Sequence, residues 1–201
     1  MRGTKRRKRS SGGTLAEFGP AIWLFFLFIV FPFIDLISFG MGVASAMLIA
    51  NMSARQCASA STFTEARQSV DQTLAQLGNW QAFSKMTPNG SATGADLMVM
   101  ITPVKGGATQ MFAYPAGAGS IPNSPPDDPN NPTTPQVNTA NSVYQYVVTS
   151  KWNVSPMLNF NGNPMLGGIP AIGAPVPVQY SATASVEHPD GLNNGPIFRG
   201  P

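Results

Sequence analysis

The sequence predicts an α+β protein, in which a long N-terminal helix packs against a small antiparallel sheet of about four strands with long Pro/Gly-rich loops. Three observations lead there. A long apolar run follows a strongly basic leader. Apolar residues then recur at three- and four-residue steps. The second half turns to short segments rich in Val, Tyr, Thr and Met, bounded by Gly, Pro or Asn.

Charge separates the leader from the rest. The chain has 201 residues and only 10% are charged, against about 25% in an ordinary soluble domain. Its net charge of +3 is uneven: Arg2, Lys5, Arg6, Arg7, Lys8 and Arg9 precede Gly12 with no acid among them. The remainder holds six bases against nine acids, a net −3. The positive charge is therefore a tag or topology signal, and no nucleic-acid partner is expected. Cys57 and His188 are the only residues of their kinds. An intramolecular disulfide and a Cys-rich zinc site are excluded, and no metal or cofactor is expected. Cys57, among Ala and Ser, reads as a small packing residue.

From Phe18 to residue 34 every position except Gly19, Pro20 and Pro32 is apolar or aromatic, and none is charged. Seventeen helical residues span about 25 Å, and continuing to residue 39 or 41 exceeds the ~30 Å hydrocarbon core. A membrane span is expected, with the basic leader holding the N-terminus in the cytoplasm and the bulk of the chain outside. The alternative is a secretory signal peptide, for which Ala44-Ser45-Ala46 supplies a small-residue triplet, though only after an unusually long apolar run. Pro20 and Pro32 loosen the helix locally. Asp35 is expected at the outer interface first, and as a packing partner for another helix second.

Residues 36–77 contain no proline and are expected to continue as one helix. Met47, Ile49, Ala50, Ala54, Cys57, Ala58, Val70, Leu74 and Leu77 mark its dry side; Glu65, Arg67 and Asp71 mark its wet side. Gly40, Gly42, Ala44 and Ser45 offer small residues past which a second helix could approach closely. Gly78 and Asn79 are stop signals. The implied organisation is a leader at 1–12, a transmembrane helix at 13–41, its exported continuation at 42–79 and a β-rich exported domain at 80–201.

Four strands are expected at residues 96–102, 109–114, 142–152 and 176–187. Gly106-Gly107 suits a hairpin between the first two. In the third, Val143, Gln145, Val147 and Thr149 alternate with Tyr144, Tyr146, Val148 and Ser150. Residues 120–139 hold six prolines among Asn, Asp and Thr and form a loop. Asp127-Asp128 lacks EF-hand spacing and reads as a solvated turn. Residues 152–175 form a second Pro/Gly-rich connection.

The motif that points to function is Ser11-Gly12-Gly13-Thr14-Leu15-Ala16-Glu17-Phe18. A break after Gly12 removes all six leader cations and makes Glu17 the fifth residue of the mature chain. This resembles the processing site of type IV prepilins. Leu-Ala-Glu-Phe followed by proline and an apolar span is similar to the TadE/TadG family of minor pseudopilins of the tight-adherence pilus. The likeness runs through Asp35 and residues 51–60, and returns in outline at residues 180–187.

The resemblance implies a structural, non-enzymatic subunit of the inner membrane, cut by a prepilin peptidase at Gly12 or Gly13. It implies other pilin or pseudopilin subunits as partners through Glu17, Phe18 and the apolar helix, with possible incorporation into a surface filament. Glu17 would pair with the freed amino group at Gly13 of a neighbouring subunit, because a carboxylate at the edge of hydrocarbon is costly unless paired. Two alternatives stay open: Glu17 as an acid at a helix N-terminus, and an uncleaved single-pass envelope protein whose exported domain binds a ligand or partner. His188, beside Pro189-Asp190 without a second histidine or nucleophile motif, gives no basis for an enzyme.

Overall fold

The computed structural model describes residues 13–77, 84–90, 93–115, 137, 139–158, 160 and 162–192, with the backbone alone at 13–17, 114, 115, 190 and 191. The leader and nearly all of the 120–139 loop lie outside the described residues. The architecture is the α+β arrangement of one long helix on an antiparallel sheet.

Helix α1 (Gly13–Phe25) runs through a π-helical turn (Phe26–Val30) into α2 (Phe31–Ala58) without a loop. The cause of the wide turn is Pro32, which has no N–H and whose ring would collide with the carbonyl four residues earlier. An i−5 bond from the Phe31 N–H to the Phe26 carbonyl widens the backbone just ahead of it. The helix stays continuous through both prolines.

The sheet is built on β4 (Ser142–Val154). β2 (Ala95–Pro103) and the short β1 (Met86–Pro88) pair along one edge of it, one after the other, and β5 (Val176–Ser185) pairs along the opposite edge; β3 (Gln110–Pro115) lies outside β2. All pairings are antiparallel. The four expected strands are present, and Gly106 and Gly107 take the positive φ of the β2–β3 turn. The three-residue β1 gives too short a signal to read from sequence.

One face of the sheet carries Leu97, Val99 and Ile101 of β2, Tyr144, Tyr146, Val148, Trp152 and Val154 of β4, and Ala182 of β5, all buried. Register places Val148 between Leu97 and Ala182, and Tyr146 between Val99 and Ala184. The α2 side of this core is small: Ala46, Ile49, Ala50, Ala54 and Cys57 recur at helical spacing. Small helix residues opposite large strand residues bring α2 close to the sheet. Among them Gly42 is required by contact, since a Cβ there would stand 2.6 Å from Val154 Cγ1.

One expectation is overturned. The segment 36–77 is two helices, because α2 ends at Ala58 and α3 (Phe63–Gln76) starts after a turn. The turn is encoded by Ser61-Thr62-Phe63-Thr64-Glu65. Thr62 caps α3 by accepting the Glu65 N–H on Oγ1 at 3.2 Å, and the Glu65 carboxylate accepts the Ser61 N–H and hydroxyl at 2.9 and 2.6 Å. At the end of α2, the Ala58 carbonyl accepts the Glu187 N–H from beyond β5. Phe63, Ala66, Val70 and Leu74 of α3 then complete the core, where a straight helix would have carried them away from the sheet.

Candidate functional site

The N-terminal helix divides at Asp35. Before it, α1 and the π turn expose apolar side chains on every side: Phe18, Ile22, Trp23, Leu24, Phe25, Phe26, Phe28 and Ile29 are exposed, Trp23 by 69%. Among the described residues no strand covers them. From Asp35 onward the helix buries one face only, at Asp35, Ser38, Gly42, Ser45, Ala46, Ile49 and so on to Ala58. Leu36, Ile37, Met47 and Leu48 stay exposed on the other side. The whole stretch Phe18–Ala58, 41 residues, is long and apolar enough to cross a membrane.

The motif residues fall as follows. Gly12 lies outside the described residues. Gly13 is the first residue of α1 and Glu17 is in its second turn, both described by backbone alone. Phe18 is 64% exposed on the same helix. The small residues expected to form one approach face are divided between two: Gly42 and Ser45 turn to the protein's own sheet, while Gly40 and Ala44 are exposed.

Asp35 is corrected. It is fully buried under the protein's own β4–β5 connection rather than packed against a separate helix. Its Oδ1 accepts the Leu158 N–H at 2.8 Å. The same connection is also held by Lys85, whose Nζ donates to the Met157 carbonyl at 2.7 Å. A buried carboxylate needs donors, and the connection supplies a backbone one. Asp35 Oδ2 and, one turn on, the Ser38 hydroxyl have no hydrogen-bond partner among the described residues. Four residues before Asp35, Phe31 meets Phe160 of the connection with ring centroids 6.2 Å apart.

Sequence reasoning missed this junction. Residues 155–175 hold no charged residue, which was a readable signal. The pairing of Asp35 with a residue 123 positions away was not readable.

Cys57 is buried, with Sγ donating to the Ala66 carbonyl at 3.1 Å. His188 is exposed just before a 3-10 turn (Pro189–Leu192). Lys151 and Asp96 pair at 2.8 Å across neighbouring strands. Among the described residues no three His, Cys, Asp or Glu side chains gather as a metal group. No family model, curated protein or solved structure matches the chain.

Proposed function

We propose that the protein is a membrane-inserted minor pseudopilin of the TadE/TadG kind, cut by a prepilin peptidase at Gly12 or Gly13 and assembling through its N-terminal helix into a tight-adherence pilus or a related secretion apparatus. In this reading it sits as a single span in the inner membrane, N-terminus in the cytoplasm and sheet domain outside, before any incorporation into a filament. One observation carries it. From Gly13, the first described residue, the backbone is helical, and the apolar side chains from Phe18 to Ile29 lie largely exposed on it. A segment of that kind is stable only when something apolar surrounds it. A membrane serves before assembly, and neighbouring helices serve after it. Glu17, placed ahead of the apolar run, supplies the one early charge that could pair with a freed amino group.

The test is the N-terminal sequence and intact mass of the protein from native envelopes, for the natural chain and for Gly12→Ala and Gly13→Ala. A mature start at Gly13 or Thr14, lost in at least one variant, supports the pseudopilin reading and makes Glu17 the next residue to change. A chain still beginning MRGTKRRKR refutes it in favour of an uncleaved single-pass envelope protein. A start beyond Ala46 refutes the anchor as well.

A further inference from the structure

We propose that the connection between β4 and β5, residues 155–175, is a second membrane contact that lies in the outer lipid interface beside the helix. The proposal rests on the reading of α1 and early α2 as a membrane span. Its partner is the bilayer itself, at the boundary of headgroups and acyl chains.

Depth is the first argument. Twenty helical residues, 18 to 37, cover about 30 Å, the thickness of the hydrocarbon core, and Leu36 and Ile37 at the end of that stretch are still exposed apolar residues. The connection is fixed to the helix inside this limit, since Leu158 is bonded to Asp35 and Phe160 packs on Phe31. Phe31 lies about 6 Å deeper than Asp35 along the axis, within the 5–10 Å to which interfacial segments sink. A helix that spans the membrane therefore carries this connection into its surface.

Composition is the second. None of the twenty-one residues 155–175 is charged, so the segment has no charged side chain of its own to take out of water. Met157, Met165 and Ile169 are exposed on it by 37%, 68% and 39%.

Backbone satisfaction is the third. Irregular backbone enters a lipid boundary only when its polar groups are bonded. In this segment the Asn163 N–H bonds to the Phe160 carbonyl and the Gly167 N–H to the Asn163 carbonyl. The Asn163 Oδ1 accepts the Met165 and Leu166 N–H groups. The Ile169 carbonyl accepts from Ile172, Gly173 and Ala174, and Ala174 accepts from Ala171. Gly173 allows this tight fold, since a Cβ there would collide with the Leu166 carbonyl.

The test uses the full chain, with Cys57→Ser, reconstituted in lipid vesicles carrying nitroxides at shallow and deep acyl positions. Single cysteines at Met165→Cys, Ile169→Cys, Ile29→Cys and Lys105→Cys carry an environment-sensitive fluorophore. Ile29 reports the span, and Lys105, in the β2–β3 turn, reports a site away from the junction. The expected result is deep quenching at Ile29, loss of most emission to shallow nitroxides with a blue shift at Met165 and Ile169, and no effect at Lys105. Quenching at Ile29 with Met165 and Ile169 behaving as Lys105 does overturns the membrane contact and leaves the span standing. No quenching at Ile29 overturns the span, and this proposal with it.

Discussion

Gly42 of α2 and Val154 at the end of β4 are in such close apposition that a methyl group on the glycine would stand 2.6 Å from Val154 Cγ1 and 2.9 Å from Cγ2. The contact lies two turns beyond Asp35, and it sets how closely α2 approaches the sheet. Gly42→Ala gains up to about 1 kcal/mol of helix propensity. It is opposed by overpacking against a stiff β-branched side chain, typically about 1–3 kcal/mol. Overpacking should win, so Gly42→Ala lowers stability by roughly 1–2 kcal/mol in denaturant titration, whereas Gly40→Ala, with open space around it, does not. Val154→Ala should relieve the clash, making the double variant less destabilised than the two single losses added together.

Asp35 fixes the other end of that junction. Asp35→Ala leaves the part-buried Leu158 N–H without its acceptor and is expected to cost about 1–2 kcal/mol. Asp35→Asn keeps an oxygen in the same place and should cost less. The local readout is chymotrypsin, which cuts after Leu158 or Phe160 once the connection is released. Cleavage there should accelerate in Asp35→Ala, identified by fragment mass, and remain near the natural rate in Asp35→Asn. Equal acceleration in both would mean that the carboxylate charge, rather than the bond to Leu158, holds the connection down.

Cys57 is fully buried where α2 meets α3, bonded to the Ala66 carbonyl and 3.5 Å from the Ser69 hydroxyl. Thiol reagents should label it only as fast as the core opens, and completely in denaturant. Cys57→Ser keeps a donor for Ala66 and should be tolerated; Cys57→Leu overfills the contact and should cost about 1–3 kcal/mol. Fast labelling of the folded protein would contradict the packing of α3 on α2.

Much of this fold was legible because local and global signals agreed. Tyr144, Tyr146 and Val148 alternate with Val143, Gln145 and Val147, and the structure turns the first set to the helices. The apolar run was equally plain. The break at residues 59–62 was harder, because an unbroken apolar period on both sides outweighs a cap of a few residues when only periodicity is read. Thr62-Phe63-Thr64-Glu65 is nevertheless an N-terminal helix signature. Asp35 failed for a different reason. A lone acid beside an apolar span has the same local context whether it faces water, another helix or its own domain. The choice depends on the Leu158 amide, which no local pattern connects to it.

The same cap makes an acid-dependent prediction. The Ser61 hydroxyl, and after it the Ser61 N–H, hold the Glu65 carboxyl below the usual carboxylate range. Because the folded value is depressed, ionised Glu65 stabilises the folded protein above its unfolded value, about 4.3, and that contribution is lost as pH falls through the lower folded value. Glu65→Gln should therefore be less stable than the natural chain near neutral pH. The gap in denaturation midpoint should persist to about pH 5 and close only below about pH 4. Thr62→Ala removes the other half of the cap, costing about 1 kcal/mol, and has no carboxyl to titrate. Its deficit should stay nearly constant over the same range. A Glu65→Gln deficit equally flat with pH would mean that the ionised carboxylate adds nothing to the turn beyond its shape. The α2–α3 break would then rest on Thr62 and on burial of Phe63.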